Sequence, residues 1–146
     1  GGDILEGDDK VCARRARLIE KVGTIDDRAL RLFACDCAER VLHLFEARCP
    51  DDSRARNAIE VARKVANGDL PFGELAAARV AAGAAAWGVA SWDAAAGDAA
   101  WAAARAASSR DAAREAARVS ARAPVRAVER KWQNERLLQY VRGGVA

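Results

Sequence analysis

Residues Glu74 to Ser108 read ELAAARVAAGAAAWGVASWDAAAGDAAWAAARAAS, and 19 of these 35 residues are alanine. Alanine has the highest intrinsic helix propensity and loses no side-chain entropy on folding, so the tract favours helix. Its large side chains are few: Leu75, Val80, Trp87, Val89, Trp92 and Trp101. Gly83, Gly88 and Gly97 would each cost about 1 kcal/mol inside a helix. Ser91 is a residue able to cap a new start, so the pattern predicts two helices joined near Gly88 to Ser91. Small side chains let neighbouring backbones approach closely, at the tight end of the ~8–10 Å interaxial range. Trp87, Trp92 and Trp101 are expected in core or interface packing rather than around a hydrophobic ligand.

The whole chain of 146 residues matches one domain by length. Alanine accounts for 37 residues, whereas Val, Ile, Leu and Phe together make 29. A β-rich fold is excluded by that composition, and tightly packed helices are favoured. Lys10 to Val22 carries Val11, Leu18, Ile19 and Val22 at helical spacing, with Gly23 as a stop. Thr24 and Asp27 resemble a capping box for a strong amphipathic helix that runs to about Ala47. Its apolar stripe is Leu30, Phe33, Ala34, Cys37, Val41, Leu44 and Phe45, while Asp36, Glu39, His43 and Glu46 gather opposite. Pro50 breaks that helix, Ser53 to Ala66 forms the next, and Asn67-Gly68 ends it. Pro71 suits the first turn of the following helix. Asp111 to Arg122 and Val125 to Arg142 complete the series, the last burying Val128, Trp132 and Leu138. The expectation is an all-α, single-domain antiparallel bundle of six or seven helices with Ala-rich packing. It would occupy residues 10–142, after a flexible acidic stretch 1–9 and before a tail 143–146.

Chemistry-bearing constellations are sparse. Cys35 and Cys37 are two apart on a helix, about 200° around the axis, so they cannot share one ion or form a bridge. Neither a Cys-x-x-Cys pair nor a second histidine accompanies His43, which leaves no metal site, catalytic group or cofactor to assign. No glycine-rich phosphate loop occurs. The longest uncharged apolar run, Val80 to Trp92, is 13 residues, too short for a bilayer, and the first ten residues lack a signal-peptide core. A soluble cytoplasmic chain with reduced thiols is the expectation, with no membrane partner.

Net charge is +3, with arginine outnumbering lysine 20 to 4. Arginine recurs at Arg110, Arg114, Arg118, Arg122, Arg126 and Arg130, a stripe that could track phosphates. Asp111 and Glu115 lie among these residues, Pro124 interrupts them, and no aromatic interleaves for base stacking. A nucleic-acid contact there is the alternative reading, and self-assembly of protomers through small-residue helix faces is another.

Five segments together resemble one family. They are Arg31 to Leu42 (RLFACDCAERVL), Leu44 to Glu46 (LFE), Pro50 to Asp52 (PDD), Ala58 to Arg63 (AIEVAR) and Trp132 to Tyr140 (WQNERLLQY). With the Ala-rich tract between them, they resemble the bacterial immunity-protein-five-like family over roughly Thr24 to Tyr140. The resemblance implies a cytoplasmic, all-helical protein that binds and neutralises a cognate toxin, with no catalytic residue to carry over. Immunity proteins against nuclease toxins are often acidic, and this chain is slightly basic. The expected contact is therefore local, through Asp36, Glu39, His43 and Glu46 on the first long helix, or the toxin is of another kind.

Overall fold

Six α-helices dominate the computed structural model, which describes residues 4–6, 11–13, 25–108, 112–120 and 126–143. They are α1 (Asp27–Glu46), α2 (Arg54–Asn67), α3 (Glu74–Ala90), α4 (Ala94–Ala106), α5 (Ala112–Ser120) and α6 (Arg126–Val141). Together they form an all-α helical bundle. Ahead of them, β1 (Ile4–Glu6) pairs antiparallel with β2 (Val11–Ala13), Leu5 standing opposite Cys12. Val11 to Ala13 was expected to open a helix and instead forms a strand. Three residues are too few to show a period of two, and Gly7, Asp8 and Asp9 between the strands are turn-favouring residue types. Gly23 and Thr24 lie outside the described residues.

Aspartates set the helix starts. Asp26 is extended (φ −86°, ψ 172°) and its carboxylate accepts the Ala29 N–H at 2.7 Å. Asp93 does the same for α4, accepting the Ala96 N–H at 2.9 Å, whereas Ser91 is the C-cap of α3. The Ala-rich tract is thus two helices, as its glycines and serine suggested, but the cap sits two residues later. An aspartate caps at least as well as serine and adds a charge favourable to the helix N-terminus. Gly68 closes α2 in the left-handed region (φ 83°), where a side chain would be strained. Pro71 stands in the turn before α3, its carbonyl accepting the Glu74 N–H at 3.2 Å.

Two helices occupy the centre. α4 packs on α1, α2, α3 and α5, and eight of its 13 residues are buried, every one alanine or glycine. α1 packs on α2, α4, α5 and α6 and is covered on two sides. One side joins the main core through Cys35, Leu42 and Phe45, and the other joins a smaller cluster of Leu32, Phe33, Cys37 and Tyr140. Both thiols are therefore fully buried although they point apart around the helix. Cys35 donates its S–H to the Ile59 carbonyl at 3.8 Å.

α6 is seated differently from the expectation. Val128 and Leu138 are exposed, and the buried residues are Glu129, Gln133 and Tyr140, with Trp132 and Leu137 packed beside the smaller cluster. Polar residues can line a buried face where hydrogen bonds and ion pairs offset their burial, and here Glu129 does so through one of its two carboxylate oxygens. Gln133 donates to the Ala117 carbonyl and to Ser120 Oγ, both at 2.9 Å, and Glu129 accepts from Arg40 Nε at 2.7 Å. Apolar spacing on this helix therefore points to the wrong face.

The glycines of the Ala-rich tract separate by what surrounds them. A Cβ placed on Gly97 would lie 2.7 Å from the Ala90 Cβ and 2.8 Å from its Cα, so the α3–α4 turn closes only over a hydrogen atom. A Cβ on Gly83 would meet nothing nearer than 3.8 Å. Gly83→Ala should therefore raise stability by up to about 1 kcal/mol through helix propensity. Gly97→Ala should lower it by about 1–3 kcal/mol, because backbone must move. Paired urea melts check both signs, and equal shifts would disprove the close approach.

Candidate protein-binding face

The inner face of α3 is filled by Leu75, Ala78, Ala82, Ala85, Ala86 and Val89. Helical spacing then turns the remaining bulky residues outward. Phe72, just ahead of α3, is 72% exposed, Val80 is 63% exposed and Trp87 is 72% exposed. α4 adds Trp101, which meets Trp87 edge to face with ring centroids 5.7 Å apart. Arg105 stands 5.5 Å over the Trp101 ring, and Arg31 stands 5.7 Å over the Phe72 ring. Contiguous aromatic and arginine surface of this kind is the composition of protein–protein hot spots, not of an average monomer surface.

Two hollows run along this row. One of about 500 Å³ lies where α1 and α3 begin and α2 and α4 end, with Val65, Leu75, Ala76 and Ala107 among its apolar walls. The other, about 350 Å³, lies between α3 and α4 against Gly83, Trp87 and Trp101. Arg79 and Ser108 border both, so the two hollows adjoin, and the pair is termed the trough. Arg31 fixes its corner by donating to the Ser108 carbonyl at 2.6 Å. The sequence signal was the spacing of Phe72, Val80 and Trp87, and it does not reveal by itself which side of α3 faces the core.

The four residues of the acidic face of α1 meet different fates. Asp36 has a side chain only 9% exposed. Its carboxylate accepts from Arg63 Nη2 at 2.9 Å, Arg136 Nε at 2.8 Å and the Tyr140 hydroxyl at 2.7 Å, joining α1, α2 and α6. Glu39 pairs with Arg63, and Glu46 pairs with Arg56 at 2.6 Å. His43 is exposed. Asp36 and Glu39 border a polar cleft of about 460 Å³ with Arg40, Trp132, Glu135, Arg136 and Gln139; His43 and Glu46 do not. Arg40 lies 4.5 Å over the Trp132 ring there. The partners of Asp36 lie 27, 100 and 104 residues away along the chain, so no local pattern announces them.

Among the spaced arginines, Arg110 and Arg122 lie outside the described residues, and Arg114 and Arg126 fall in α5 and α6. Arg118 pairs with Glu115, its Nε 2.8 Å from the carboxylate. Arg118 and Arg130 line one groove with Leu30, Phe33 and Leu137.

Burial pushes the Cys35 thiol up to about 12, and burial, aided by the Glu129 charge, pushes Cys37 up further. Both stay protonated at neutral pH, which suits packing and not thiolate chemistry. Burial, and then the bond to Asp36, raises Tyr140 well above the usual phenol range.

Asp36→Ala should lose about 2–3 kcal/mol, since it takes the acceptor from Arg136 Nε and the Tyr140 hydroxyl and leaves Arg63 with Glu39 alone. Glu46→Ala, at an exposed pair, should lose less than about 1 kcal/mol. Urea denaturation of the two variants is the check, and equal losses would remove the special role of Asp36. In the native protein at neutral pH, Cys35 and Cys37 should resist a thiol-specific reagent until denaturant is added, and prompt labelling of either would contradict their burial.

Searches of curated proteins and of solved structures return no match to the chain. The model of the Imm-5 like putative immunity protein family matches residues 20–140. That span runs from ahead of α1 nearly to the end of α6 and takes in both the trough and the Asp36 cluster. The chain belongs to the Imm-5 like immunity protein family.

Proposed function

We propose that this protein is a non-enzymatic binder that neutralises a cognate bacterial protein toxin, and that the α3–α4 trough is the face it presents. The observation that carries the reading is Trp87, 72% exposed and braced by Trp101, on a helix whose other side is locked into the core. An aromatic anchor that is ordered before contact loses little conformational entropy on binding. Trp and Arg supply most of the energy in hot spots, and the surrounding contacts exclude water. Family membership supports a toxin as the partner. Asp36 contributes to this function indirectly, by holding α6 on α1, and the charges of Glu39 and Glu46 are already answered by arginines.

Co-expression of this chain with candidate protein toxins encoded near its gene should protect bacterial growth from one of them, and the two should co-purify. Trp87→Ala should weaken that complex by about tenfold or more while leaving the melting temperature unchanged. Reversal of Glu39 and Glu46 to lysine should weaken it less. Unprotected cells would sink the toxin-neutralising role. A Trp87→Ala variant with undiminished affinity would remove the trough from the contact.

A further inference from the structure

We infer that the trough receives an acidic, amphipathic segment of its protein partner, with apolar side chains seated between Phe72 and Trp87 and flanking carboxylates on the arginines. The inference rests on the proposed toxin-binding role and adds the chemistry of the docking element. Four arginines border the trough (Arg28, Arg31, Arg79 and Arg105) against one carboxylate, Asp27. Among the described residues, none of the four is held in an ion pair. Arg28 donates to the Asn67 side chain, Arg31 to a backbone carbonyl, and Arg31 and Arg105 lie on aromatic rings. By contrast, Arg40, Arg48, Arg54, Arg56, Arg63, Arg118 and Arg136 each pair with a carboxylate. Four arginines that hold no ion pair among the described residues thus border the same surface that leaves Phe72, Val80 and Trp87 in solvent.

Charge complementarity selects the occupant. An incoming carboxylate finds guanidinium groups already ordered by ring stacking, with N–H donors still open for bidentate contact. A second copy of this chain would bring the same arginine-rich rim, and like charges facing each other disfavour that pairing. A nucleic acid would satisfy the arginines but needs open ring faces for its bases. Here a guanidinium group lies over one face of Trp101 and one of Phe72 and the neighbouring wall is aliphatic, which leaves Trp87 as the main open ring, too few for a run of stacked bases. From Phe72 to Trp87 the row extends about 20 Å, the length of a helix of about four turns. Apolar anchors at helical spacing in a groove are an established mode of peptide recognition.

Three labelled probes test this against the full chain by fluorescence anisotropy and tryptophan emission. They are an amphipathic peptide of about five turns with Leu on one face flanked by Glu, the same peptide with Lys for Glu, and a single-stranded oligonucleotide. The Glu peptide should bind about tenfold or more tighter than the Lys peptide, shift tryptophan emission, and weaken as salt rises. Arg79 and Arg105 are both exposed, so the double variant Arg79→Glu, Arg105→Glu should fold normally and reverse the preference between peptides. Arg79→Gln, Arg105→Gln should abolish it. Equal binding of the two peptides, tighter binding of the oligonucleotide, or a dimer by light scattering that buries Trp87 would each overturn the inference. If the charge-reversed protein still held the neighbouring toxin with unchanged affinity, the acidic segment would fall and toxin neutralisation would stand. Cells left unprotected by the unmodified chain would sink that role alone, leaving the peptide preference to decide the chemistry of this face.

Discussion

The methyl-sized interior of α4 is the constraint on which the rest of the molecule depends. A helix whose buried residues are all alanine or glycine can be approached closely from several sides, and α1, α2, α3 and α5 all do so. Each buried alanine removes little apolar area from water, so density must replace bulk, and larger side chains such as Leu42, Phe45 and Val89 close the gaps. The same constraint acts outward. The core-facing side of α3 is filled by alanines with Leu75 and Val89, and its other bulky residues, Val80 and Trp87, stand on its solvent side. A tightly packed interior and an aromatic exterior are thus two results of one packing rule.

A second layer of organisation comes from charge. Asp36 sits where α1, α2 and α6 meet and answers three donors at once. Partly buried ion pairs of this sort contribute modest net stability but penalise any arrangement that leaves one partner alone, so they favour a single seating of α6. Arg40 works beside it, joining the buried Glu129 and stacking on Trp132. With Asp36, Glu39 and Glu46 engaged by arginines, the field around the trough is dominated by arginines that hold no ion pair among the described residues. The family relation supports binding, and the physical chemistry of the trough supports a particular kind of contact.

Helix type was legible along the described chain from Asp27 onward, because alanine content, 3.6-residue periodicity and capping residues are local properties. The Asn67-Gly68 stop and the division of the Ala-rich tract could be read in the same way, within a few residues. Asp93 rather than Ser91 starting α4 is a competition between two acceptable caps, which local reading does not decide. The buried face of α6 was misread for a different reason. Glu129 and Gln133 are polar, and only the positions of Arg40, Ala117 and Ser120 make their burial favourable.

The sequence by itself determined that this chain is helical, closely packed and marked by the segments of its family. Those are consequences of composition and short-range spacing. Tertiary structure decided which charges are internal, turning Asp36 from an apparent surface acid into the tie between three helices. It also decided that Phe72, Val80 and Trp87 face outward beside arginines that hold no ion pair among the described residues. Burial and ion pairing are relations between residues up to a hundred positions apart, and they exist only once the helices have taken their places.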